Sequence, residues 1–219
     1  KFEGLEAREL LSALPDPGVA LSLAEIKGVF SQVIARATQL GVNATISMVD
    51  REGNIMGVVR MRNPALEFAL GQSRIVGGGI GGLEGIALPS SIFCTSKAGT
   101  AAFLSTRGNA FSTRTAGFII QKNFPGGARN QPSGPLFGVQ LSSLPTGDLM
   151  RLPIGLAADP GGLPLYRAGQ VVAGIAVEFD NQYTAPNSRV GGDDAPTAGH
   201  CCTGCRNRRQ HGGGLKCAY

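Results

Sequence analysis

The sequence predicts an α+β fold, a single antiparallel sheet backed by helices. Three observations lead there. A capped amphipathic helix opens the structured part of the chain, two hairpins stand on either side of a second helix of small residues, and strict strand–helix alternation is absent. At 219 residues, one or two domains of roughly 150 residues are expected. The pattern places one of them at residues 21–180, between a lead-in (1–20) and a tail (181–219).

The lead-in ends in Pro15-Asp16-Pro17-Gly18. Ser22 and Glu25 then have the spacing of a capping box, in which the serine caps a free amide and the glutamate reaches back. Leu23, Ile26, Phe30, Val33, Ile34, Ala37 and Leu40 recur at helical spacing, and Gly41 ends the run. Ala44 to Asp50 reads as a strand, Arg51-Glu52-Gly53-Asn54 as a turn, and Ile55 to Met61 as the returning strand. Residues 62–89 are rich in glycine and carry no clear period. A second helix is expected from Ser90 or Ser91 to Leu104, with Ala98, Gly99, Ala101 and Ala102 suited to close packing. Ser112 is placed to cap a third, Thr113 to Asn123, which Pro125 ends. From Pro125 to Pro145, Gly, Pro, Ser and Asn predominate and read as a long ordered loop. Leu163–Tyr166 and Gln170–Glu178 form the second hairpin across Arg167-Ala168-Gly169. Its second strand is apolar on both faces through Val177, as a covered central strand is. Periodicity is lost from about Ala185.

Composition removes several function classes. The net charge is +5, but Arg189, Arg206, Arg208, Arg209 and Lys216 against Asp193 and Asp194 put +3 of it beyond residue 180. The first 180 residues therefore carry only +2, without the clustered Lys/Arg that nucleic acid demands. No apolar run approaches the roughly 20 residues of a membrane helix. Charged residues make up 16%, where about 25% is usual. Charge normally decorates exposed surface, so its shortage points to a homo-oligomer or a subunit of a larger complex. A chain beginning at Lys1 is what a processed periplasmic or secreted protein looks like.

Chemistry-bearing residues are few. Gly77, Gly79 and Gly82 match G-x-G-x-x-G, but Gly85 and Pro89 interrupt any following helix and no acid stands about 20 residues on. Both histidines, His200 and His211, lie in the tail, so Cys94 has no base of the usual kind and reads as a buried, inert thiol. Lys97 sits among small residues, where a lysine acts as a desolvated amine, reaches the surface, or pairs with a carboxylate. Asp50 and Asp159 occupy turn-forming positions, with turn capping as the default role and acid–base work as the alternative. Cys202-Thr203-Gly204-Cys205 is followed by Arg206, which excludes covalent c-type haem. A non-covalent haem would have to draw an axial donor from Met48, Met56, Met61, Tyr166, Cys94, Lys97 or a hydroxyl. In the tail, Cys202, Cys205, Cys217 and His211, with Cys201 and His200 nearby, offer donors for a zinc site. Disulfides, or neither, are equally open there. The tail is expected to be dispensable for the fold.

Four motifs then occur in order. Ile46-Ser47-Met48-Val49-Asp50-Arg51-Glu52-Gly53 is followed by Arg60-Met61, then Lys97-Ala98-Gly99-Thr100-Ala101. Gly161-Gly162-Leu163-Pro164-Leu165 and Gly169-Gln170-Val171-Val172-Ala173-Gly174-Ile175 complete the set. Together they resemble the GlcG/HbpS-like haem-binding family, whose pattern runs V-V-D-x-x-G, K-A-x-T-A, G-G-x-P and G-x-I-G-V-S-G. The resemblance covers residues 20–61, 91–103 and 155–177. It implies a profilin-like domain, assembly into higher oligomers, and haem binding in some members. The positions it offers for a cofactor are Asp50, Arg60, Met61, Lys97, Thr100, Gly161, Gly162 and Pro164. Two departures stand out. Ala176-Val177-Glu178-Phe179-Asp180 replaces the family's small terminal loop, and an extra stretch of about 104–153 separates the helix motif from the G-G-x-P turn.

Three functions follow. The first is a non-enzymatic, non-covalent haem- or tetrapyrrole-binding protein with a non-histidine or external axial ligand. The second is a structural or accessory subunit that keeps the fold without a cofactor. The third is an enzyme of unknown substrate using Lys97 and Asp50.

Overall fold

The computed structural model describes residues 20–66, 71–76, 83, 85–121, 123–125, 130–138 and 152–184. Helix α1 (Leu23–Gln39) begins at the expected capping box. The Ser22 hydroxyl accepts from the Glu25 amide, and the Glu25 carboxylate accepts from the Ser22 amide. Strands β1 (Thr45–Asp50) and β2 (Ile55–Arg60) form the first hairpin, and β5 (Gly162–Arg167) and β6 (Gln170–Glu178) the second. They join in one antiparallel sheet of order β2-β1-β6-β5. The two hairpins meet through β1 and β6, so the apolar β6 is interior, as its sequence requires.

Side-chain alternation divides this sheet between two helices. Ile46, Met48 and Ile175 form a core with Phe30 and Ala37 of α1. On the other face, Val49 and Ala176 pack on Ala98 of α2 (Ser90–Leu104). The approach of α2 is close because β6 has a glycine where the helix crosses. A Cβ on Gly174 would run into the carbonyl of Ala98 and the amide of Ala102. Gly162 is equally constrained, since its Cβ would stand 2.5 Å from the Lys97 carbonyl.

The structure adds elements to the expected set. The glycine-rich 62–89 segment contains β3 (Gln72–Val76) and β4 (Ala87–Pro89), and β7 (Gln182–Thr184) lies beyond residue 180. They make a small second sheet, β4-β3-β7, with β3 and β7 parallel. Its buried Ile75 and Tyr183 share a core with Phe93, Ile154 and Ala157. Helix α3 (Thr113–Ile119) starts at its Ser112 cap but stops short of Asn123. Among the described residues no helix is long and apolar enough to cross a membrane. The G-x-G-x-x-G glycines Gly77, Gly79 and Gly82 lie outside the described residues, as do the tail donors Cys202, Cys205, Cys217 and His211.

Candidate functional site

Lys97 is 2% exposed at the centre of the molecule. The small residues around it on α2 and the glycines facing them let the helix backbone settle onto β5 and β6. The lysine side chain is thereby trapped between layers. Its ammonium pairs directly with the carboxylates of Asp159 and Glu178, both also buried.

Each partner is delivered by separate architecture. Glu178 ends β6 and falls on the α2 side of the sheet, two residues after Ala176. Its second oxygen accepts from the Ser73 hydroxyl of β3 at 2.9 Å, and Ser73 is bonded to Ser90 at 2.9 Å. Asp159 arrives on the segment that runs along α2 from Leu152. The Ser96 hydroxyl accepts from the Ile154 amide (3.3 Å), and Thr100 Oγ1 accepts from the Ala157 amide (2.8 Å). Thr100 also donates to the Ser96 carbonyl (2.7 Å). Gly161 then turns the chain with φ +129, a region that side chains rarely adopt. A Cβ there would meet the Val177 carbonyl at 2.5 Å and approach the Lys97 ammonium at 3.6 Å. The remaining wall is aromatic. Tyr183 stacks on Phe93 with centroids 4.4 Å apart, and the ammonium lies 5.7 Å from the Tyr183 ring centre. Among the described residues the buried Tyr183 hydroxyl has no hydrogen-bond partner.

The electrostatics follow from burial. Desolvation disfavours the Lys97 cation, but Asp159 and Glu178 outweigh it and hold the ammonium above its ordinary range. Burial pushes the Glu178 carboxyl up to about 7, against the opposing pull of Lys97 and with the help of Asp159. Burial likewise drives the Cys94 and Tyr183 groups well above their ordinary values. The Cys94 thiol donates to the Thr45 carbonyl at 3.0 Å. It stays a thiol, as its sequence setting suggests.

The motif residues thus divide into a cluster and a periphery. Lys97, Thr100, Gly161 and Gly162 come together with Asp159. Asp50 lies at the opposite end of β1 from the strand end that faces Glu178. There Oδ1 accepts from the amides of Glu52 (2.9 Å) and Asn54 (2.8 Å), the turn-capping role. Pro164 pairs with Gly174 inside the β5–β6 ladder. Met61 packs on the core under α1. Arg60, its neighbour, is exposed and opposes Thr45 on the α2 face of the sheet. Ile55 and Val58 oppose Val49 and Ser47 on that same face. They stand 56% and 43% exposed. Sequence reasoning missed the role of Glu178, as well as Ser73 and Tyr183.

The six axial donors named from sequence are engaged. Met48 and Cys94 are fully buried, Met56 and Met61 pack on the core, and Lys97 is ion-paired. The Tyr166 hydroxyl donates to the carbonyls of Thr106 (2.9 Å) and Asn109 (3.0 Å). Among the described residues no group of three or more His, Cys, Asp or Glu is arranged to hold a metal ion.

No family model matches the chain, and no curated protein matches it. Solved structures similar to it include the following two. The crystal structure of a PduOC–haem complex is 24% identical, with 73% of this chain and 83% of that chain covered and a TM-score of 0.45. The Klebsiella pneumoniae protein ORFY, described by the family model DUF336, is 23% identical over 72% of this chain and 77% of its own, with a TM-score of 0.43. The GlcG/HbpS-like resemblance carried by the four motifs stands beside these likenesses.

Proposed function

We propose that the chain is a non-enzymatic binding protein of the GlcG/HbpS-like type, taking haem or a related tetrapyrrole. The ring would be held through its flat face and its carboxylates, without an axial bond from the described residues. The observation that carries this reading is the uncovered strip on edge strand β2, Ile55 and Val58 leading to the exposed Arg60. An apolar surface ending in a guanidinium matches an apolar ring that bears carboxylates. The engaged state of Met48, Met56, Met61, Cys94, Lys97 and Tyr166 fits the macrocycle better than it fits the iron.

Catalysis by Lys97 and Asp50 is disfavoured by position. Lys97 is sealed from any outside substrate, and Asp50 is spent on its turn at the far end of β1. The accessory-subunit reading draws on the same facts, because most polar motif residues serve the fold. Parallel titrations with haemin and metal-free protoporphyrin separate the two. Binding is expected to be saturable for both, with similar affinity, and several-fold weaker in Arg60→Ala and Val58→Asp. A titration identical to that of an unrelated protein would leave the accessory role.

A further inference from the structure

The Lys97 cluster has the parts of a condensation site. We infer that Lys97 and Asp159 join in an intramolecular amide bond, with Glu178 as the proton carrier, stapling α2 to the segment that leads into β5.

The ammonium and both carboxylates are buried in direct contact, walled by Phe93 and Tyr183. Separating charges in such a setting is expensive, so forms with fewer charges gain on the ion pair. Lys97 passes one proton to the Glu178 carboxylate in direct contact with it, an uphill transfer, because the two acids hold the ammonium above its ordinary range, and Glu178 can return the proton from the same position. The freed amine attacks Cγ of Asp159. The new bond is Lys97 Nζ–Asp159 Cγ, and the bond broken joins Asp159 Cγ to one of its oxygens. A second proton leaves the nitrogen, the proton on Glu178 returns, and both depart with that oxygen as water. One ammonium and one carboxylate become one amide and one water, Glu178 ends as it began, and no oxidant or co-reactant is needed.

The assignment of roles comes from the surroundings. Glu178 is anchored at its other oxygen by Ser73 and is the more deeply buried side chain (1% against 9% for Asp159). Asp159 therefore lies nearer the exit for the water. Amide formation from free acid and amine is unfavourable in bulk water. Fixed neighbours react with effective molarities of roughly 10⁵–10⁸ M, which lowers the barrier; the equilibrium penalty is offset by holding the two groups together in the fold and by removing their charges from a buried site. The product also exchanges two buried charges for a neutral group. The cross-link closes a long loop, the kind of constraint that most restricts an unfolded chain.

Intact mass spectrometry of the reduced, denatured full chain tests this directly. The folded wild type is expected to be lighter than its sequence mass by one water, and proteolysis should release a branched peptide containing Lys97 and Asp159. Glu178→Gln should keep the full mass. Asp159→Asn should lose ammonia in place of water, which separates the cross-link from dehydration elsewhere in the chain. A wild type that retains its full mass after prolonged folded incubation near neutral pH overturns the inference. So does a water loss that maps away from Lys97. Neither result depends on tetrapyrrole binding, which the haemin titration reads separately.

Discussion

Replacing Lys97 with methionine keeps most of the side-chain volume and removes the charge, so it isolates what the cation does. Two carboxylates would then share a site in which Asp159 is 7% and Glu178 3% exposed. Breaking a buried ion pair by deleting one partner costs about 3–5 kcal/mol. At roughly 2–4 °C per kcal/mol for a chain of this size, the melting temperature should fall by about 6–20 °C at neutral pH. The sign of the pH response is a stricter test. Without Lys97, burial and the neighbouring carboxylate raise the Glu178 carboxyl, already high with the cation present, still further above its value in the unfolded chain. Such groups contribute their full stability below the unfolded pKa, and that contribution is lost as pH rises through the folded value. The deficit of Lys97→Met should therefore shrink on acidification and largely vanish below about pH 4, near the ordinary carboxylate pKa values. Urea melts of wild type and variant across pH 4 to 8 measure it. If the wild type is cross-linked, the variant also loses that staple, so the deficit levels off at that offset below about pH 4 instead of vanishing, and its remaining slope reads the paired carboxylates of the variant against Glu178 alone in the wild type. A variant within about 1 kcal/mol of wild type at neutral pH, where surface substitutions usually fall, refutes the account. A deficit that does not change with pH also refutes it.

The wild type has its own pH signature. With Glu178 raised from 4.5 to about 7, stability should decline by a few kcal/mol at most as pH climbs through that window; thermal melts should show the decline flattened in Glu178→Gln. Gly174→Ala drives a methyl into the backbone of α2, so a loss of about 1–3 kcal/mol or more is expected in the urea midpoint. An unchanged midpoint would mean that α2 does not lie where described. Asp50→Ala removes the acceptor for two turn amides and for the Asn54 side chain. It should cost about 1–2 kcal/mol and leave haemin titration unchanged. A selective loss of binding would return Asp50 to the ligand site.

Much of the main sheet was legible because its signals are local. The Ser22–Glu25 box, the apolar spacing of α1, and two hairpins closed by short polar turns each specify their element within a few residues. The small sheet was not, for a physical reason. Strand β3 does alternate, with Ser73 and Ile75 buried, but one inward residue is polar, so no hydrophobic period shows. Its parallel partner β7 stands more than 100 residues away, at Gln182–Thr184. Contacts distant in sequence hold these strands together: the Glu178–Ser73 bond, the Tyr183–Phe93 stack and the core that Ile75 shares with Ile154 and Ala157.

The site was half visible for the same reason. Lys97 is the one charged residue of α2, and pairing with a carboxylate was among its expected fates. Asp159 was read as a turn residue with acid–base work as the alternative, and its pairing with Lys97 was missed because nothing local reports that Ser96 and Thr100 steer its segment along the helix. Glu178 was treated as a departure from the family's terminal loop. Yet β6 carries a usable signal. Its period of two puts Gly174, Ala176 and Glu178 on one face, and the small first two require close cover. An acid that continues a close-packed face cannot remain alone, since a buried charge must be paired or neutralised. A lone lysine on a helix of small residues presents the same problem with the opposite sign. Each unmet charge predicts the other, and their pairing fixes α2 over β6 before any contact is seen.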